Sequence, residues 1–369
     1  MKGQRLNHHF EPANGWMNDP NGLCFFKGKY HAFFQHNPHD KKWGTMHWGH
    51  AVSDDMIHWE ELPIALYPDQ PYEDDGGVTT GGCYSGSALV KDDTMFIFYT
   101  TVSHTLGQTQ SIVTTKDGVT FEKYAGNPVI PTFPVDGSAE FRDPKVIEVD
   151  GTYYMVLGSG KDGIGKVLLY KSADLYNWDY SGVLIEGAEF GGVIECPDFF
   201  AIGDKYVLMF SQVGLDSHST KFICGDFDGD KFTPLSGVQT PEIGPHFYAP
   251  QTFEAPDGRR IIIGWTHNWW NGPDDETNFC GALTIPREII VKDGKIYTLP
   301  IAEAANLLTD SDELVEVGDK SVRIVTNEGE RELKYECDRV EDVKILRDTK
   351  TIEVFINGGE ASFLYWFTN

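Results

Sequence analysis

Five times along the 369-residue chain, a polar turn leads into a short run rich in β-branched and aromatic residues. The copies are Lys27-Gly28 before Lys29–Phe34, Asp92-Asp93 before Thr94–Tyr99, Asp150-Gly151 before Thr152–Leu157, Gly203-Asp204 before Lys205–Phe210, and Asp257-Gly258 before Arg259–Gly264. Their second turn residues fall 65, 58, 53 and 54 positions apart. Turns of this chemistry join antiparallel strands. A second turn follows each copy: Asp54…Trp59, Asp117-Gly118…Phe121, Asp174…Trp178, Asp228-Gly229…Phe232 and, more weakly, Asp293-Gly294…Tyr297. Two hairpins per unit make a four-stranded antiparallel sheet, and five such sheets in a ring make a five-bladed β-propeller. A β-sandwich with chance spacing is the competing fold, and five regular copies weigh against it. The expected class is all-β, with the propeller over residues 1–300. The 39 glycines and 13% aromatic content suit short strands joined by tight turns.

Residues 301–309 read as a short linker, helical or extended. Beyond it, Ser321–Thr326, Glu332–Cys337, Asp342–Leu346, Thr351–Ile356 and Ala361–Phe367 are strand candidates, and Asn357-Gly358 is a hairpin signal. Residues 310–369 are thus a small all-β module. It buries too little surface to stand alone and is expected to lean on the propeller.

Charge narrows the function. The chain has 30 Lys and Arg against 56 Asp and Glu, a formal net charge of −26. Such a surface repels phosphate backbones and anionic lipid heads, so neither nucleic acid nor a membrane is expected as a partner. A neutral ligand meets no such barrier. No stretch reaches the roughly 20 apolar residues of a membrane span, and the N-terminal residues lack an apolar signal core. The six scattered cysteines read as free thiols, not as a disulfide framework or a zinc site. The expected compartment is the cytoplasm.

The acids fall in register with the repeat. Just before each first turn come Asn18-Asp19-Pro20, Tyr84-Ser85-Gly86, Phe141-Arg142-Asp143-Pro144, Glu195-Cys196-Pro197 and Tyr248-Ala249-Pro250. Positions 20, 144, 197 and 250 are Pro and position 86 is Gly, each 7 or 8 residues before the turn marker. The first strand of a blade lines the central channel, so Asp19, Ser85, Asp143 and Glu195 should converge at one mouth of it. Each Pro or Gly should break the ladder beside its acid. A lone Asp-Pro is ordinarily a turn. Three carboxylates on three blades are costly, because like charges in a partly dry site raise one another's pKa. Acid–base chemistry repays that cost. Bound Ca²⁺ is the competing reading, weakened by the lack of a dense Asp/Asn/Gly loop. Near the acids stand Trp16, Asn18, Gln35, Trp43, Tyr84, Arg142, Tyr248 and Trp265. Flat apolar faces, amides and carboxylates together suit a sugar ring, so a small-molecule sugar is the expected partner. No metal or cofactor is expected.

Trp16-Met17-Asn18-Asp19-Pro20-Asn21-Gly22, Phe34-Gln35-His36-Asn37-Pro38, Tyr84-Ser85-Gly86-Ser87, Phe141-Arg142-Asp143-Pro144, Glu195-Cys196-Pro197 and Tyr248-Ala249-Pro250-Gln251 together resemble the invertase-like glycoside hydrolases of family 32. The resemblance runs over residues 8–303. It continues weakly into Glu353–Glu360, which is similar to the last strands of that family's C-terminal β-sandwich, here truncated. It implies retaining hydrolysis of β-fructofuranosides in sucrose and short fructo-oligosaccharides. Asp19 matches the nucleophile, Glu195 the acid/base and Asp143 the transition-state stabiliser. Asn18, Gln35, Trp43, Ser85 and Trp265 match fructose-pocket positions. Arg142 is expected to keep Asp143 ionised. His246 stands where the family usually has Asp, so a polar contact near the channel is expected to differ.

Other functions stay open at this level. A sucrose-6-phosphate hydrolase or a fructosyltransferase would use the same residues. An arabinofuranosidase of a related family fits the Trp16–Gly22 motif poorly. A non-catalytic fructan binder would usually have lost one of the three acids. The Glu73-Asp74-Asp75 run disfavours a phosphorylated sugar and Lys41-Lys42 could offset it, but both runs read more simply as a solvated rim. The sequence leaves the oligomeric state undetermined.

Overall fold

A computed structural model describes residues 3–74, 76, 81–213, 220–266, 276–325 and 333–367. The fold is all-β, with 57% of residues in strands and 3% helical. Five antiparallel sheets follow one another along the chain. The first holds Gly15–Phe26, Lys29–Asn37, His47–Ser53 and Trp59–Leu66. The second holds Gly82–Lys91, Thr94–Ser103, Gly107–Thr115 and Glu122–Lys123. The third holds Phe141–Val149, Thr152–Lys161, Ile164–Ser172 and Asp179–Gly187. The fourth holds Ile194–Ile202, Lys205–Gln212, Thr220–Phe227 and Phe232–Pro234. The fifth holds Tyr248–Glu254, Arg260–Trp265, Arg287–Lys292 and Lys295–Pro300. The first strand of each sheet packs on the first strand of the next, and the fifth returns to the first. The sheets therefore surround an axis as in a propeller.

The apolar runs explain the stacking. Successive side chains of a strand point to opposite faces, so a strand covered on both sides reads as continuously apolar. Ile97 and Tyr99 pack toward the first sheet, whereas Phe98 between them packs toward the third. Tyr154 and Phe199 lie between the third and fourth sheets, and Phe200 and Ile262 between the fourth and fifth. Met17, Phe34, Ile261 and Ile263 fill the gap between the fifth and the first. Each fully buried Phe or Ile contributes about 1.5–3 kcal/mol, so every inter-sheet layer is a core in its own right.

The turns behave as their chemistry dictates. Lys27-Gly28, Asp150-Gly151 and Asp293-Gly294 have positive φ at both residues, as a two-residue type I′ turn requires. The second turns are closed by a carboxylate: Asp117, Asp174 and Asp228 each accept two backbone N–H bonds from the residues just after them. In the first sheet that residue is Asp55, which accepts from Ile57 and His58. Asp54 instead pairs with Lys29, so the sequence motif is one residue out of register there.

Two connections depart from the simple repeat. Phe279–Cys280 leaves the fifth sheet and pairs in parallel with Gly15–Trp16, adding an inner edge to the first sheet. Residues 302–307 form a short 3₁₀ helix in the expected linker. After it come Val315–Val317, Ser321–Ile324 and Leu333–Glu336 as one three-stranded sheet, and Val343–Arg347, Thr351–Ile356 and Ala361–Trp366 as another. Val315–Val317 carried no strand signal that the sequence reading recognised, and Thr326 and Glu332 lie outside the described residues. These two sheets lean on the larger unit through buried charge. Arg287 joins Glu242 and Glu353 at 2.6 Å each. His9 sits between Asp348 and Glu353 at 2.8 Å each. Burial opposes charge on His9, but the hydrogen bonds to Asp348 and Glu353 outweigh it and raise its pKa to about 9.

Candidate active site

The inner strands are distorted where the acids lie. Ladder pairing shifts between Met17 and Pro20, between Cys83 and Gly86, beside Arg142–Lys145, between Glu195 and Asp198, and between Tyr248 and Gln251. These are β-bulges, the device that re-aims a side chain at a sheet's rim. The expected break in the ladder is therefore present on all five strands. Asp143, Cys196 and Ala249, each just before a Pro, have φ of 65°, 46° and 48°. Asp19 occupies the same repeat position without a positive φ, so the first and third bulges differ. Position 86 is Gly because a Cβ there would lie 1.9 Å from the Phe98 carbonyl oxygen.

Below the bulges the channel is closed. Lys145 of the third sheet donates to Asp198 of the fourth at 3.0 Å and to the Thr252 carbonyl of the fifth at 2.5 Å. Thr252 N–H donates to Asp198 at 2.6 Å. Beside the bulges lies a cavity of about 290 Å³. Its walls are Asn18, Asp19, Gln35, Trp43, Tyr84, Ser85, Gln108, Glu140, Arg142, Asp143, Glu195 and Tyr248. The three acids expected to converge do so, and most of the sugar-binding candidates surround them.

Each acid is held differently. Asp19 is half-buried on the floor; Ser85 Oγ donates to its Oδ2 at 2.6 Å and Asn18 Nδ2 to its Oδ1 at 2.9 Å. Trp16 Nε1 in turn holds Asn18 Oδ1 at 2.7 Å. Burial raises the Asp19 pKa, the hydrogen bonds oppose that, and Glu195 adds to it. Asp143 is buried; the Cys196 N–H donates to its Oδ2 at 2.8 Å. Burial lifts its pKa to about 7, against the pull of Arg142 and with the push of Glu195 and Asp19. Glu195 has both oxygens occupied. Arg142 donates to Oε1 from Nη2 at 2.8 Å and from Nε at 3.2 Å, and Tyr248 Oη donates to Oε2. The other edge of Arg142 meets Glu140, and Gln108 at 3.3 Å.

The family profile for the glycosyl hydrolases family 32 N-terminal domain matches residues 9–300. The chain belongs to glycosyl hydrolase family 32. It is 40% identical to a sucrose-6-phosphate hydrolase of Escherichia coli over 81% of this chain and 65% of that protein. It is 37% identical to a raffinose invertase of Escherichia coli, over 86% of this chain and 69% of the other. The chain thus spans less than two thirds of the length of that sucrose-6-phosphate hydrolase. Among solved structures it is similar to a family 32 β-fructofuranosidase of Bombyx mori, with a TM-score of 0.86, 30% identity, and coverage of 100% of this chain and 89% of the other.

Against this family 32 frame, four sequence expectations need correction. Trp265 is fully buried behind the cavity, edge-on to Trp16 and Tyr248, and does not line it. Arg142 hydrogen-bonds Glu195 and Glu140, and although its charge pulls the Asp143 pKa down as expected, burial outweighs it and Asp143 is not held ionised. His246 faces the C-terminal sheet, where its Nδ1 accepts from the Trp366 N–H at 3.2 Å, so its replacement of Asp does not reach the channel. Glu73 is no solvated rim. It is buried, and it accepts from Tyr99 Oη at 2.6 Å and Lys123 Nζ at 2.6 Å. Asp75 and Gly77 of that segment lie outside the described residues. Gln108 and Glu140 were missed. Gln108 sits on a third strand with no motif around it; Glu140 could have been flagged by its place two residues before Arg142. Among the described residues no group of three or more His, Cys, Asp or Glu side chains is arranged to hold a metal ion. No helix among them is long and apolar enough to cross a membrane.

Proposed function

We propose that the protein hydrolyses terminal β-D-fructofuranosyl bonds in sucrose and short fructo-oligosaccharides, with retention of configuration. The supporting observation is the convergence of Asp19, Asp143 and Glu195 on one cavity, with Arg142 and Tyr248 fixing both oxygens of Glu195. Asp19, aimed by Ser85 and Asn18, attacks C2 of the fructosyl unit as the glycosidic bond breaks. Glu195 gives its proton to the departing oxygen. Water then opens the fructosyl–Asp19 ester and returns a proton to Glu195. Asp143, with a pKa near 7, accepts and donates hydrogen bonds to the fructosyl hydroxyls. Asn18, Gln35, Trp43, Tyr84 and Ser85 complete the sugar shell.

The same reading extends to the architecture. Residues 1–300 form a five-bladed propeller, residues 301–309 a linker, and residues 310–369 a truncated β-sandwich-like module. The ring of five inner strands and the two three-stranded sheets support it. The six cysteines are free thiols, five of them buried, which suits a reducing cytoplasm.

The test is incubation with sucrose, 1-kestose, raffinose and inulin, with products resolved by chromatography. Fructose should be released from sucrose and kestose and not by Asp19→Ala. A folded wild-type protein that releases fructose from none of these sugars, nor from sucrose 6-phosphate, would refute the proposal.

A further inference from the structure

We infer that Glu140 makes the mouth of the cavity select an uncharged leaving group, so that sucrose is taken in preference to sucrose phosphorylated on its glucosyl unit. The inference rests on the β-fructofuranosidase reading above and concerns the same cavity.

The cavity has an inside and an outside. Asp143 is buried, Asp19 and Glu195 are both half-buried, and the Glu140 side chain is half exposed. The fructosyl unit must reach Asp19, so the leaving unit lies outward, beside Glu195 and Glu140. A phosphate on that unit carries about −1.5 to −2 charges near neutrality.

Among the described residues that line the cavity, no unengaged cation meets it. Arg142 is the one Lys or Arg among the described lining residues. Its Nε and Nη2 face Glu195, and its Nη1 faces Glu140 and Gln108. A phosphate seeking the two-pronged guanidinium contact would first have to displace a carboxylate. In the state that attacks, with Asp19 ionised and Glu195 carrying the proton it will donate, Asp19 and Glu140 outweigh Arg142 even where Asp143 is protonated. Lys41 does not line the cavity, and its Nζ donates to the Thr277 carbonyl at 2.9 Å. A phosphorylated leaving group therefore meets like charge at close range, which is a strong basis for rejection.

The experiment measures kcat/KM for sucrose and for sucrose 6-phosphate on the wild-type protein and on Glu140→Gln, at low salt and in about 0.5 M NaCl. Wild type should favour sucrose by about tenfold or more. The preference should shrink several-fold in Glu140→Gln. It should also shrink in wild type at high salt, because screening weakens exposed charge repulsion. Equal use of both sugars, or preference for the phosphate, overturns the inference. A preference that neither salt nor Glu140→Gln changes overturns the role of Glu140. Turnover of neither sugar removes the proposed activity itself, and this inference with it. The salt series on wild type stands even where the variant fails to fold.

Discussion

Arg142 adjoins Asp143 in the chain, yet its guanidinium lies on Glu195, with Nη2 2.8 Å from Oε1. Tyr248 holds the opposite oxygen of the same carboxyl. The two donors come from the third and fifth sheets and meet on a side chain of the fourth. The orientation of Glu195 is thus a property of the whole ring. Arg142→Ala should lower kcat/KM on sucrose by roughly 10²–10³-fold, the scale of losing a preorganised donor. Arg142→Lys should recover only a small part, since an ammonium cannot form the fork. Steady-state kinetics beside a melting curve checks this. Wild-type kcat in Arg142→Lys would remove the fork from the account.

Asp143 links activity to stability. Its folded pKa of about 7 lies above the ordinary 3.8. The folded protein therefore binds this proton more tightly than the unfolded chain. That contribution is complete below about pH 3.8 and is lost as pH rises through about 7. Asp143→Asn has no such charge to bury. Its Tm relative to wild type should rise between pH 5 and pH 8, while turnover falls steeply. A difference in Tm that stays flat across that range would contradict the buried-acid account.

His9 gives the opposite end of the pH scale. Its pKa is raised from 6.5 to about 9 by Asp348 and Glu353. Its stabilisation is complete below about pH 6.5 and is lost as pH rises through about 9. Wild-type Tm should fall between pH 7 and pH 10. His9→Gln should cost roughly 3 kcal/mol at pH 7, because it leaves Asp348 without its cation and removes one of the two from buried Glu353, which keeps Arg287. Its Tm should respond less to alkali. Thermal melts over that range decide it.

Gly86 is a steric prediction. A Cβ would lie 1.9 Å from the Phe98 carbonyl oxygen, on backbone that cannot swing aside. Gly86→Ala should destabilise by about 1–3 kcal/mol. It should also displace Ser85 from Asp19 and lower kcat more than it raises KM. A variant with wild-type kcat and Tm would show that the inner strand yields more than the packing allows.

The repeat was legible because turn chemistry and apolar runs are local signals. Asp19, Asp143 and Glu195 were legible because the repeat puts Asp19 and Asp143 at one position of the inner strands and Glu195 one residue earlier. What failed depended on side-chain direction. Adjacency in sequence suggested that Arg142 keeps Asp143 ionised; its charge does pull that way, but its hydrogen bonds go to Glu195 and Glu140 and burial of Asp143 outweighs the pull. Charge suggested a wet rim at Glu73, but Lys123 and Tyr99 lie far along the chain and reach it only in the fold. Trp265 had the right residue type and the right blade, yet packs behind Tyr248. Gln108 and Glu140 needed the closed ring before they shared a wall with the acids.

Gly15 and Trp16 pair with Phe279 and Cys280. Residue 19, the nucleophile proposed above, therefore belongs to a sheet whose inner edge strand is synthesised some 260 residues later. A ribosome that has delivered Asp19, Asp143 and Glu195 has delivered every acid but not yet the strand that seals the ring. On this geometry the sheet that carries Asp19 is complete only once Phe279 and Cys280 have been made.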